Sequence, residues 1–145
     1  MSEPRTIDVL LASYRQSHLH PVNEVIHIVC VPAIMLTMLG LLWALHPLFA
    51  EAASLLALRY YFKLSRPFAI GMLLMAAIML GLLWSLPQAL VLPLSLAIFV
   101  LAWIAQFIGH RIEGKKPSFL DDLRFLLIGP LFVLSFLYHR LRLAY

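Results

Sequence analysis

Four of the six histidines, His18, His20, His27 and His110, fall near the ends of two apolar runs, among Asn23, Gln106, Glu113, Asp121 and Asp122. Imidazole suits iron, zinc, copper and nickel, so converging histidines at membrane depth would make a metal centre. Asn23 and His27 are four residues apart and share one helical face. Gln106 and His110 repeat that spacing, and Glu113 follows three residues later. Each of two helices therefore offers an amide one turn from an imidazole. His18 and His27 are nine apart, which on a continuous helix sets them about 180° from each other. They converge only if the helix breaks, and Pro21 supplies a break, because the residue before a proline leaves the helical region and proline suits a first turn. His18, His27 and His110 are thus candidate metal ligands, with Asn23, Gln106 and Glu113 as candidate catalytic or ring-orienting partners.

A plainer reading stands beside this one. Single interfacial histidines are common polar residues, and Asn23 and Gln106 could join helices by hydrogen bonds. His20 could be a local cap. His46 precedes Pro47 in a connection, and His139 beside Arg140 suits a headgroup contact.

The elements that must position these residues are apolar. Of 145 residues, 63% are apolar and 12% charged, against about 45–50% and 25% in soluble domains. A chain this short cannot hide that excess in its own core. The expected fold class is all-α: an integral membrane bundle of about four to five embedded helices plus a short N-terminal interfacial helix, forming one domain over residues 1–145. Residues 7–17 place Ile7, Leu10, Leu11 and Tyr14 at helical spacing. A second helix runs from Pro21 to about Leu45, with Val25–Leu45 free of formal charge and long enough for a hydrocarbon core of about 30 Å. Pro32 should kink it. Residues 48–64 contain Glu51, Arg59 and Lys63 and read as a short tilted span or an interfacial helix. Pro67–Leu86 and Gln88 to about Gly109 are clear spans. Residues 110–124 form a polar loop, in which Ser118 and Asp121 resemble a capping box that starts a last helix. Phe125–Tyr138 is too short for a comfortable span and is expected to re-enter or pack obliquely.

Arg and Lys gather at 5–15, 59–66, 111–124 and 140–142, whereas the connections at 45–48 and 86–88 have none. If 48–64 spans, the N-terminus and the 110–124 loop share the cytoplasmic side. All four clustered histidines then sit at that face. The single Cys30 excludes an internal disulfide. Residues 1–24 lack a continuous apolar core of the cleavable-signal type. A net charge of +4 fits orientation and headgroup contact, and no basic-aromatic interleaving points to nucleic acid.

The segment Tyr14-Arg-Gln-Ser-His18-Leu-His-Pro-Val-Asn23-Glu-Val-Ile-His27, with Val31-Pro32, resembles the N-terminal signature of a family of small multi-pass proteins. Its best-known members are fungal 2-hydroxy fatty acid dioxygenases. Trp103-Ile-Ala-Gln106-Phe-Ile-Gly109-His110, then Glu113 and Lys116-Pro117, resembles the second signature, and Gly129-Pro130-Leu-Phe132 a weaker third. The resemblance covers about residues 14–132. It implies a non-haem Fe(II) enzyme that oxidises a 2-hydroxy fatty acid with O2 and shortens it by one carbon. It places His18, His27 and His110 at the family's histidine positions. Relatives often carry a Glu after the third signature; here Ser135-Phe136 stands there, and His139 is a candidate replacement. Lys115, Lys116 or Arg111 could hold the substrate carboxylate, with the acyl chain between apolar helices and membrane lipid around them. The alternatives are a non-catalytic transporter or scaffold, and a b-type haem protein with two axial histidines. The brevity of the chain favours a bacterial inner membrane over the endoplasmic reticulum.

Overall fold

A computed structural model describes residues 4–145, all helical among the described residues. Six α-helices follow in order: α1 (Thr6–Arg15), α2 (Pro21–Leu45), α3 (Pro47–Leu64), α4 (Arg66–Ser85), α5 (Gln88–Glu113) and α6 (Phe125–Arg140). A single 3-10 turn, Ser118–Leu120, lies in the α5–α6 connection. Three helices, α2, α4 and α5, are long and apolar enough to cross a membrane. Large apolar side chains such as Trp84, Leu45, Leu56 and Leu101 remain exposed around the bundle, as expected where lipid rather than water is the solvent.

Proline and histidine punctuate the chain. Pro21, Pro47 and Pro67 stand in the first turns of α2, α3 and α4, where a missing N–H costs nothing. The His20 and His46 rings cap α2 and α3, each accepting through Nδ1 from the backbone N–H two residues on, at 3.2 and 3.3 Å. The cap expected at His20 is present.

The core lies on two levels. One cluster joins Ile7, Leu10 and Tyr14 of α1 to Tyr61 of α3, Phe68 and Met72 of α4, and Ile128, Leu131 and Phe132 of α6. α1 therefore packs its apolar stripe on the bundle. α6 is buried along much of its length, and Tyr61 Oη donates to Leu127 O at 3.0 Å. The second cluster, Leu39, Trp43, Ala50, Met79, Leu83 and Val91, closes the far end of the bundle. α2 and α5 form the most extensive helix pair, and small residues let them approach. A Cβ on Gly40 would strike Ser95, and one on Gly109 would strike Asn23 Oδ1.

Two expectations need correction. The polar loop does not begin at His110: α5 continues to Glu113 and ends where Gly114 takes a left-handed φ of 73°, a conformation suited to glycine. His110 and Glu113 therefore stay one turn apart on a rigid helix. Ser118 and Asp121 do not form a capping box. The last helix starts only at Phe125 with no side-chain cap. Asp122 instead accepts from the Arg124 backbone N–H at 2.9 Å and pairs with the Arg124 guanidinium.

Candidate metal centre

Three chain segments deliver one histidine each. His18 follows the end of α1, His27 lies in the second turn of α2, and His110 lies in the last turn of α5. The break before Pro21 redirects the chain, so His18 and His27 meet with ring centroids 4.2 Å apart. His18–His110 and His27–His110 centroids are 5.0 and 4.8 Å apart. All three are buried, and one nitrogen from each lies within 4.8 Å of the others. Tetrahedral donors on one ion, with bonds of about 2.1 Å, stand about 3.4 Å apart. An inward movement of up to about 1.4 Å therefore lets all three hold one ion. Edge contacts this close leave no room for a porphyrin between the rings.

Backbone carbonyls set two of the tautomers. His18 Nδ1 lies 2.7 Å from Tyr14 O, and His27 Nδ1 lies 2.8 Å from Asn23 O. A carbonyl only accepts, so each Nδ1 carries the proton and each Nε2 keeps its lone pair for a metal. His18 Nε2 is buried with no protein partner, as is His110 Nδ1. His139 makes the same contact to Ser135 O at 2.7 Å without joining the cluster. Convergence, not the carbonyl contact, distinguishes the three. Tyr14 stacks on His18 at 4.2 Å and 10°. Burial pushes the His18 imidazole down to about 4, so at neutral pH it is the neutral base that ligation requires.

Asn23 and Glu113 reach the cluster differently from the spacing argument. The Asn23 amide does not touch His27; its backbone carbonyl does. Its Nδ2 donates to Ser17 O at 3.1 Å and to Glu113 Oε2 at 3.2 Å. Glu113 also accepts from the Leu19 and His20 backbone N–H groups at 3.0 and 2.8 Å. The carboxylate thus clamps the turn that carries His18 onto the end of α5. Gln106 is buried one turn before His110 and lines a cavity with it.

That cavity, about 240 Å³, opens from His27 and His110 into the bundle. Its wall is almost wholly apolar, and among the described residues no lysine or arginine lines it. The cations offered for a substrate carboxylate lie elsewhere. Lys115 Nζ donates to Gln16 O at 2.6 Å, Lys116 pairs with Asp121, and Arg111 is exposed. Two polar side chains of the wall were not legible as site residues in the sequence. Ser118 Oγ and Trp103 Nε1 are buried without protein partners, on residues of its wall. The spacing of Trp103, Gln106 and His110, at i, i+3 and i+7 on one helix face, was the available signal for the tryptophan.

The sequence profile of the 2-hydroxy-palmitic acid dioxygenase Mpo1-like family matches residues 5–141. The chain belongs to this family. No curated protein and no solved structure matches it significantly. All three clustered histidines, the Glu113 clamp and the wall of the cavity lie within the segment shared with the Mpo1-like family.

Proposed function

We propose that this protein is a membrane dioxygenase that oxidises 2-hydroxy fatty acids with O2 and shortens them by one carbon, using one non-haem Fe(II) held by His18, His27 and His110. One observation carries the reading: three buried histidines from separate segments converge, two of them, His27 and His110, lining an apolar cavity, in a chain of a family named for 2-hydroxy-palmitic acid dioxygenation. When bound, the iron supplies Lewis acidity and redox access to O2, with coordination positions left open beyond three protein ligands.

The remaining work falls to the chain. Tyr14 O and Asn23 O hold the His18 and His27 rings with Nε2 free. Glu113 and the Asn23 amide fix the turn that carries His18. Ser118 and Trp103 line the cavity and carry buried, unpartnered polar atoms that a side-chain movement would turn towards oxygens of the substrate. The apolar wall takes the acyl tail and excludes water. The positive-inside pattern favours a site near the cytoplasmic face of a bacterial inner membrane.

The test is anaerobic reconstitution of purified protein with Fe(II), followed by metal analysis, an optical spectrum and an O2-dependent turnover assay. The expected result is one iron per chain, no Soret band, and a product one carbon shorter. Zinc in freshly purified protein has no bearing, since the affinity order favours it over Fe(II). Iron-loaded protein that leaves 2-hydroxy fatty acids intact overturns the proposal.

A further inference from the structure

The cavity extends from His27 and His110 along α2 and is partly open at its side, where Met38 is 47% exposed. On α2 its wall is a continuous stripe from His27 through Val31, Met35 and Met38 to Leu42. Fifteen residues at 1.5 Å each make about 22 Å. On α3 and α4 the wall combines the small Ala53, Ala57 and Ala76 with the larger Leu58, Tyr61 and Met72. Close-packed interiors rarely leave such a void, and here alanines among long, adaptable methionines open it. Beyond Leu42 the second core cluster, with Trp43 and Leu83 buried, closes the bundle.

We propose that this slot measures the acyl chain, with Leu42 and Ala53 as its floor, and so limits the protein to straight tails of up to about 18 carbons. The inference rests on the proposed function and adds its length specificity. An extended polypeptide advances about 3.3–3.6 Å per three backbone bonds, or about 1.2 Å per bond. An extended acyl chain of similar geometry fills about 22 Å with roughly 18 carbons. Its polar head then lies at His27 and His110, and its methyl end lies between Leu42 and Ala53. α3 runs back along α2 after the single residue His46, so Ala57 stands nearer the histidines than Ala53 does. The two alanines are separated by about 6 Å, or about five carbons.

The experiment is a length profile, with saturated 2-hydroxy acids of graded chain length, of wild type, Ala53→Phe, Ala57→Phe and Leu42→Ala. Profiles are read as kcat/KM and, without turnover, as competition for binding to metal-free protein. Ala53→Phe should shorten the longest accepted chain, and Ala57→Phe should shorten it by about five carbons more. Leu42→Ala should admit longer chains than wild type. Thermal unfolding and metal content of each variant show that it folds and separate length selection from general damage. Should a phenylalanine variant fail to fold, Leu42→Ala decides alone. Unchanged length limits in folded variants overturn the inference while leaving the function standing. A graded limit in binding alongside no turnover in iron-loaded wild type keeps the slot and overturns the function.

Discussion

Glu113 Oε2 accepts from Asn23 Nδ2 at 3.2 Å, joining the last turn of α5 to the first turn of α2 across ninety residues of chain. The same carboxylate holds the backbone N–H groups of Leu19 and His20. Three donors on one carboxylate fix the segment that presents His18. Removing it should loosen that histidine and leave the cavity wall unchanged. Glu113→Ala is expected to lower metal affinity by about 10–100-fold, the usual scale for partners that orient ligands. Glu113→Gln keeps one acceptor oxygen and should lose less. Competitive metal titration measures both, and equal affinity in wild type and Glu113→Ala would remove the clamp from the account.

Gly109 faces Asn23 where α5 meets α2, and an added Cβ would fall on Asn23 Oδ1. Gly109→Ala must therefore displace the Asn23 side chain or part the helices, at a cost of about 1–3 kcal/mol, and should weaken metal binding with it. Gly81 in α4 has nothing within 4 Å of an added Cβ. Gly81→Ala should be neutral or stabilise by up to about 1 kcal/mol. Thermal unfolding in detergent, with metal content measured on the same samples, separates the two.

The six histidines should divide into two classes. His18→Ala, His27→Ala and His110→Ala each remove a buried member of the cluster and should each abolish O2-dependent shortening and lower bound iron. His46 caps α3 at the far end of α2, and His139 turns its Nδ1 to Ser135 O. Substituting either by Ala should leave iron content near wild type. Full iron and activity in His18→Ala would show that the site is wrongly assigned.

Ser118 and Trp103 test how the substrate oxygens are held. Ser118→Ala and Trp103→Phe each delete a buried donor and keep the surrounding shape, since Trp103 packs among Phe99, Phe107 and Phe119. A hydrogen bond to a charged group is worth about 1.5–3 kcal/mol. KM for the 2-hydroxy acid should thus rise about tenfold or more in each, with iron content unchanged. Lys116→Ala should leave KM alone because that side chain is exposed and paired with Asp121.

Topology can be read by labelling. The α1–α2 turn touches the α5–α6 connection through Lys115 and Gln16 O, so both lie at one face of the bundle. In a Cys30→Ala background, Ser13→Cys and Lys116→Cys should react with an impermeant thiol reagent from the cytoplasmic side, and Gln88→Cys from the opposite side. Reaction of Ser13→Cys and Lys116→Cys from different sides would contradict the packing itself.

Much of the helical plan was legible because lipid imposes simple rules. A span must be long and apolar and proline opens a helix, so α2, α4 and α5 could be read from composition and from Pro21, Pro67 and Pro87, although the stop at Gly114 was missed. Three histidines could be brought to one face from charge asymmetry and the Pro21 break, both local or bulk properties of the chain. What Glu113 does was not legible, because its partners are backbone N–H groups about ninety residues away that only tertiary packing brings near. Nor was the role of Asn23, where spacing pointed to the amide while the carbonyl of the same residue holds His27. Ser118 read as a cap because its local pattern matches one, whereas the folded connection turns it towards the cavity wall. The cavity itself had no local signature. Its wall draws Ala53, Ala57 and Ala76 from different turns and helices together with residues of α2, α5 and α6, and empty space is decided by which side chains meet, not by which follow one another.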